Sequence, residues 1–587
     1  MATSKNLINS LDSTVSETLS GLSYAYPQLE HYVSHRVVLS PDCRDRKDKV
    51  ALICGGGSGH EPFAAGFVGS GMLTASIAGS IFAAPPSIHI THALQCIAEN
   101  NEAGILVVVP NYTGDRLNFG IAIKKAQQAG AKVEEIIVSD DCSIPENEQS
   151  VAGGRGLVGM LFVIKIAGAF AERGSPLREV AEVAQCVSQN TATFGVGLSA
   201  CAIPGQGLMF ELAQDEIECG MGVHGEAGYE RIKLKTASEL VALMLQRICE
   251  ALSLAANDSV AVIVNNFGAL SQLEQGIVVY EIVNQLRNKN IEPVRVYSGV
   301  LMTSLNSAGI HISLLRLTES HRDTFVKCLD DETMAPCWPG RSYSIPSTIT
   351  RTPFKTAERK KVEKTGISLN DREQGLIKLC LKNACTAIIE KETHLNELDR
   401  GCGDGDCGST LKRLADNILN NLDELSLSHP VALLSEIANI AEECMGGTSG
   451  ALYCLFFTTG AKELTLFKQS YSNKENLRYI WFCTFRSGLN CLEKYGKAKA
   501  GNRSMIDTMD ATLKMYEKLL NAYPSEFYEK IIAAARKGCD STKNMKPIVG
   551  RASYIKQAQY LTEVDAGAYA AATWITAIAQ TIAQFSN

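Results

Sequence analysis

The chain has 587 residues, 45% of them hydrophobic and 20% charged, with a mean hydropathy of zero and a formal net charge of −7. That length exceeds one core and requires at least two domains, and the composition excludes a disordered chain. An acidic balance without a basic stripe excludes nucleic acid as a partner, and no apolar run reaches the length of a membrane span.

The first residues, Met1-Ala2-Thr3-Ser4-Lys5, lead into no apolar signal region and no arginine-rich transit pattern, so the expected location is the cytosol. The 19 cysteines are odd in number and scattered, with no Cys-x-x-Cys pair. They read as reduced thiols, mostly buried. From the N-terminus to residue 341, short apolar runs at 50–54, 104–109, 133–138 and 260–264 alternate with helical stretches such as 237–252. This pattern predicts an α/β domain.

The first run feeds Gly55-Gly56-Gly57-Ser58-Gly59-His60-Glu61-Pro62, a loop expected to open a helix and to offer backbone N–H groups to an oxygen-rich ligand. It is no dinucleotide fingerprint, because His60 stands where the third glycine belongs, and no Gly-Lys-Ser/Thr of a Walker A loop occurs in the chain. The next run ends in Pro110-Asn111-Tyr112-Thr113-Gly114-Asp115. Asp115 is thereby expected at the carboxyl edge where open sheets bind ligands, within reach of His60. In Gly220-Met221-Gly222-Val223-His224-Gly225-Glu226-Ala227-Gly228, small neighbours leave His224 bare. A neutral imidazole there can act as a base or as a nucleophile toward a carbonyl.

Residues 342–366, Pro-, Ser- and Thr-rich and then charged, lack apolar periodicity and read as a linker. From 367 to 587 the apolar residues take helical spacing, as in Ile377, Leu381, Ala384 and Ile388, which predicts an all-α domain. Its last segment, 566–585, is alanine-rich on nearly every face and should be buried. Near its start, Asp399-Arg400-Gly401-Cys402-Gly403-Asp404-Gly405-Asp406-Cys407-Gly408 sets three carboxylates among glycines. Such a run suits Mg²⁺ or Mn²⁺ bridging a nucleotide's phosphates, although Asp-Gly pairs are also ordinary turn formers. It is no EF-hand, because Ala415 occupies the twelfth position from Asp404. Cys402 and Cys407 have no His or Cys partner at zinc-finger spacing.

These motifs resemble the dihydroxyacetone kinase family. The glycine loop through Pro62, Asn111 to Asp115 and His224-Gly225-Glu226 are similar to its substrate domain. Asp399 with Asp404-Gly405-Asp406, Met445-Gly446-Gly447-Thr448-Ser449-Gly450 and Gly550-Arg551-Ala552-Ser553-Tyr554 are similar to its nucleotide domain. The resemblance covers nearly the whole chain, in order. It implies a two-lobed α/β substrate domain at 1–341 and an antiparallel helix barrel at 367–587. It further implies that His224 forms a hemiaminal with the substrate carbonyl, that His60 and Asp115 bind the hydroxyls with Asp115 as general base, and that Gly56, Gly57, Ser58 and Gly59 line the pocket.

By the same resemblance Asp399, Asp404 and Asp406 hold Mg²⁺. Gly405, Cys407, Thr448, Ser449, Gly496, Ser504, Met505, Asp565, Ala566 and Gly567 join Asp404 and Asp406 around ATP. The implied reaction is ATP-dependent phosphorylation of dihydroxyacetone and glyceraldehyde. Relatives also cleave FAD to AMP and riboflavin cyclic 4′,5′-phosphate, with Mn²⁺ or Co²⁺ as possible metals. They act as homodimers in which one chain's nucleotide domain faces the other's substrate domain. Three positions depart from the family pattern: Pro110 stands in place of a lysine, Asn502 of an aspartate and Ala566 of a proline. Pro110 supports an alternative, a kinase-impaired chain acting mainly as an FAD-splitting lyase. A carbonyl-binding regulatory protein is a third reading, opposed by the intact aspartates.

Overall fold

The computed structural model describes residues 5–144, 153–346, 364–400, 403–467, 474–520, 526–548, 553 and 562–586. The expected linker at 342–366 lies largely outside them, as does the Gly550 to Tyr554 run apart from Ser553. The chain forms two compact units, Met1–Arg351 and Thr352–Asn587.

The first unit holds two six-stranded sheets. Strands β1 (Glu30–Tyr32), β2 (Val37–Leu39), β3 (Ala51–Ser58), β4 (Ala75–Ile81), β5 (Ile105–Pro110) and β6 (Val133–Val138) form one, in the order β1-β2-β4-β3-β5-β6. Its centre, β4-β3-β5-β6, is parallel. All six residues of β5 are buried, as a strand covered on both faces requires. Strands β7 (Thr191–Gly197), β8 (Glu216–Cys219), β9 (Glu230–Lys233), β10 (Ser259–Asn266), β11 (Glu292–Gly299) and β12 (Gly309–Leu317) form the other, in the order β11-β10-β12-β7-β8-β9. Only its β10–β11 pair is parallel.

Helices α1 (Thr14–Ala25), α2 (Ser87–Ala98), α3 (Thr113–Gln128), α4 (Met160–Glu172), α5 (Leu177–Gln189), α6 (Ala237–Ala251), α7 (Gln272–Asn288) and α8 (Arg322–Asp330) surround the sheets. Every residue of α4 from Met160 to Ala169 is buried, Lys165 included. It is a helix apolar on all sides and therefore interior. Lys165 meets its hydrogen-bonding needs through the carbonyls of Cys328, at 2.7 Å, and Asp331, at 2.8 Å.

The second unit is helical: α9 (Asp371–Glu390), α10 (Glu392–Arg400), α11 (Cys407–Asn420), α12 (Pro430–Cys444), α13 (Gly447–Leu464), α14 (Lys474–Gly496), α15 (Met505–Leu519), α16 (Phe527–Ser541) and α17 (Ala566–Ser586). Helix α11 packs on α9 and α12, each later helix packs on the next, and α17 returns to α9, so the ring is closed. Short connections make neighbours antiparallel, and across the longer α16–α17 connection the Asp565 N–H donates to the Thr542 hydroxyl at 2.9 Å, which sets the start of α17 beside the end of α16. In such a ring every second connection lies at the same end. The turns before α11, α13, α15 and α17 therefore share one end of the barrel. In α17 the alanines at 566, 568, 570, 571, 572 and 579 are buried, the close packing that small side chains permit.

One sequence expectation fails. The glycine loop does not open a helix, because β3 continues through it to Ser58 and only turns and a short 3₁₀ segment, Ala65–Phe67, follow. The glycines serve close strand pairing instead: a Cβ on Gly55 would collide with the Ile77 carbonyl of β4, and one on Gly57 would lie 2.8 Å from the Ala83 nitrogen. Among the described residues 18 cysteines are free, nine of them buried and nine half-buried.

Candidate active site

In the first unit, the ends of β3 and β5 and the β8–β9 loop bring His60, Asp115 and His224 to one cavity of about 280 Å³, counting its mouth. Gly56, Gly57, Pro110, Tyr112, Met160 and Met302 also line it. Ser58 is turned away, its hydroxyl donating to the Gly79 carbonyl at 2.9 Å. Gly59 instead joins β3 to the segment after β11, its carbonyl accepting from the Leu305 N–H at 3.0 Å and the Thr303 hydroxyl at 3.2 Å.

His60 is 4% exposed, and its Nδ1 lies 3.0 Å from the Thr303 carbonyl. A carbonyl only accepts, so Nδ1 carries the proton and Nε2 keeps a lone pair. Burial, the larger effect, and the neighbouring His224 push His60 down to about 3, outweighing the Thr303 carbonyl that favours the charged form. His60 is therefore neutral. Burial, followed by the charge of Arg155, lowers His224 to about 4. Its ring is held edge-on among His60 (4.8 Å between centroids), Phe82 (5.5 Å) and Tyr112 (4.5 Å), with no hydrogen bond to any described residue. An imidazole that is neutral, caged and otherwise unengaged is competent to attack a carbonyl.

Asp115, in the first turn of α3, is 5% exposed, and burial raises it to about 7 against a weaker opposing bond from its own N–H. Its Oδ1, the His60 Nε2, the Tyr112 hydroxyl and the Glu226 Oε2 are all buried without a partner among the described residues. Each such atom costs about 1–3 kcal/mol while unmet.

Arg155 escaped the sequence reading. Its guanidinium donates to Asp141 at 2.6 Å, Glu226 at 2.8 Å, the Gly220 carbonyl at 2.6 Å and the Ser143 hydroxyl at 3.3 Å. It thereby pins the loop that carries His224. A side chain on Gly222 would strike Glu226 and Arg155, so the glycine is needed for this closure. No local pattern marks Arg155, whose partners lie 14 and 71 residues away.

In the second unit, the turn between α10 and α11 gathers Asp399, Asp404 and Asp406, with one carboxylate oxygen from each lying within 4.8 Å of the others. Asp399 Oδ2 accepts from the Gly405 N–H at 2.9 Å and the Asp406 N–H at 3.1 Å, which folds the turn back on itself. Gly405 makes this possible at φ +76°. Asp404 and Asp406 are exposed and Asp399 is half-buried. Three convergent hard-oxygen donors with open faces fit Mg²⁺ together with phosphate oxygens and water.

Asp565, Ala566 and Gly567 lie where α17 begins. Burial raises Asp565 to about 6 against the Ala568 N–H bond and Arg503, and the charges of Asp507 and Asp399 add to the rise. Cys407 is pushed up to about 12, chiefly by burial and then by Asp399. A Cβ on Gly567 would stand 3.5 Å from that of Met505. Ser504 caps α15, its hydroxyl accepting from the Ile506 N–H at 3.3 Å while its own N–H donates to Asp507 at 2.8 Å. Thr448 and Ser449 lie in the first turn of α13, after Gly446, which has no side chain to cap it. Gly496 closes α14 against Leu452 of α13. All these residues lie at the barrel end that carries the aspartates.

The Dak1 domain family matches residues 20–337 and the DAK2 domain family residues 401–580, so Asp399 stands just before the second range. The triokinase/FMN cyclase of Mus musculus is 39% identical over 99% of both chains. The dihydroxyacetone kinase of Pichia angusta is 34% identical over 92% of both. The crystal structure of the dihydroxyacetone kinase from C. freundii in complex with AMP-PNP and Mg²⁺ superposes with a TM-score of 0.64, at 33% identity, covering 98% of this chain and 99% of that one. With a two-sheet α/β unit followed by a helical unit, and with both domain families matched in order, the chain belongs to the dihydroxyacetone kinase family of enzymes.

Proposed function

We propose that the chain transfers the γ-phosphoryl group of ATP to dihydroxyacetone and glyceraldehyde in the cytosol. In this reading residues 1–341 bind the triose, 342–366 link, and 367–587 bind ATP and Mg²⁺. The observation that carries it is the set of unmet buried polar atoms on His60, Asp115, Tyr112 and Glu226 around the caged His224. A small polyhydroxylated carbonyl compound supplies what those atoms lack.

One nitrogen of neutral His224 adds to the carbonyl carbon as the C=O π pair moves to oxygen. The ring's N–H proton passes to that oxygen, leaving a neutral hemiaminal. Glycerol has no carbonyl and is rejected. His60 Nε2 accepts a hydrogen bond from one hydroxyl, and ionised Asp115 takes the proton of the hydroxyl that attacks phosphorus. Asp399, Asp404 and Asp406 would hold Mg²⁺, whose charge offsets that of the nucleotide phosphates when bound. Thr448 and Ser449, at the start of α13, offer hydroxyl and backbone donors to phosphate. Gly496, Ser504, Met505 and Gly567 surround the nucleotide.

The same helical unit is proposed to cleave FAD to AMP and riboflavin cyclic 4′,5′-phosphate with Mn²⁺ or Co²⁺, and the protein to act as a homodimer. The triokinase/FMN cyclase name of its relatives supports the lyase reading. Assays of ATP consumption with each triose, and of FAD cleavage, test the two activities directly. If neither triose stimulates ATP consumption, the kinase reading fails. A second reading rests on Pro110, which lines the cavity and brings neither charge nor N–H where the family pattern has lysine. On that reading the kinase is weak and the lyase dominates.

A further inference from the structure

On the first unit, away from the triose cavity, the face of α2 that meets the β1–β2 turn collects His89, His92 and Cys96 with His35. His92 and Cys96 are four residues apart on the helix, and His92 Nε2 lies 3.6 Å from Cys96 Sγ. In a tetrahedral site with Zn–N of about 2.0–2.1 Å and Zn–S of about 2.3 Å, those two donors stand about 3.6 Å apart. The spacing of the pair matches the bite of one ion.

His35 stacks on His92 with centroids 4.2 Å apart and meets His89 edge-on at 5.3 Å. His35 Nδ1 is engaged by the Ser34 hydroxyl at 2.8 Å, which leaves Nε2 as the second donor. His89 Nδ1 is buried with no partner among the described residues. We infer that His92 and Cys96, completed by His35 and His89, form a binding site for a borderline-soft divalent transition ion of the zinc class.

Among the described residues only the three aspartates already converge as a three-donor set. His35 and His89 must therefore rotate to complete this one. All four groups are half-buried. Burial, and then His35, holds His89 and His92 below the ordinary histidine range. Arg36 and Arg44 are the cationic neighbours. Arg44 is tied to Glu30 at 2.8 Å and Tyr32 at 3.1 Å, and its charge favours the Cys96 thiolate against the larger effects of burial and of the Glu99 charge, which raise the thiol. The imidazole–thiolate set distinguishes this site from the all-oxygen aspartate turn, which suits Mg²⁺.

Titration of the full-length reduced protein with Co²⁺ tests the assignment. A thiolate-to-cobalt charge-transfer band should appear with tetrahedral visible bands, be displaced by Zn²⁺, and release about one proton per ion from Cys96. It should persist in Asp404→Ala. Cys96→Ser should abolish the charge-transfer band, and His92→Ala should weaken Co²⁺ at least about tenfold, both with the metal-free thermal midpoint unchanged. A band that survives Cys96→Ser would place the ion on other cysteines and overturn the proposal. So would the absence of any band in the unaltered protein, which would leave the His92–Cys96 contact a simple hydrogen bond.

Discussion

In the α/β unit the reactive groups sit in a shell of rings and backbone, with His60 and Asp115 buried. In the helical unit the carboxylates of Asp404 and Asp406 stand exposed on a turn. The pKa values follow. Burial lowers His60 and His224, which keeps both neutral, and raises Asp115 to about 7. The proposed carbonyl addition needs an uncharged nucleophile, and burial supplies one. The proposed phosphate chemistry needs opposed charges brought together, and the exposed aspartates leave one half of that charge accessible.

The most severe way to break this division is Asp404→Ala, which should lower triose phosphorylation and FAD cleavage together by at least about a hundredfold. Retention of either activity would show that the aspartate turn does not serve both. His224→Ala comes next: it should abolish triose phosphorylation and leave FAD cleavage within about twofold, because its cage belongs to the first unit alone. Equal loss of both activities would erase the distinction between the sites.

Replacing Arg155 with methionine leaves Asp141, whose side chain is 2% exposed, without its cation. The first unit should lose about 3 kcal/mol in a denaturant melt, and the KM for dihydroxyacetone should rise as the His224 loop loosens. An unchanged melt would mean that the loop is held by other contacts. For pH, Asp115 accepts a proton only when ionised, so kcat/KM for dihydroxyacetone should climb about tenfold per unit below about 7 and level off above it. His60, at about 3, and His224, at about 4, remain neutral across that range and add no fall. A profile flat from pH 5 to 8 would remove Asp115 from the role of base. The mildest test is Pro110→Lys, expected to raise triose kinase activity severalfold with FAD cleavage unchanged. Recovery from no activity at all would favour the lyase-dominant reading.

What the sequence disclosed depended on how local each signal was. Asp399, Asp404 and Asp406 are contiguous, and the turn that joins them is written in the glycines between them. His224 was visible because its neighbours are small. The long helices were legible from their spacing: residues 237–252 became Ala237–Ala251, and 566–585 became Ala566–Ser586. Gly55 to Gly59 were misread because glycine permits both a helix-opening loop and a close strand. Only the position of Ile77 on the neighbouring strand decides between them. Arg155 gave no usable signal, since its partners assemble across tertiary contacts, and the helical spacing of His89, His92 and Cys96 acquires meaning only when His35 is brought beside them.

The ring of the helical unit is closed by its two ends. Arg372, in the first turn of α9, lies over the ring of Phe585 near the end of α17 at 5.5 Å, and Asn383 donates to Thr581 at 2.9 Å. Chain order is therefore separable from architecture. A circularly permuted helical unit, opened in the 421–429 connection between α11 and α12 and spliced from the end of α17 to the start of α9, would keep every helix beside its present neighbours. The cut falls at the barrel end opposite the aspartate turn, and the splice follows from where the chain already begins and ends the ring.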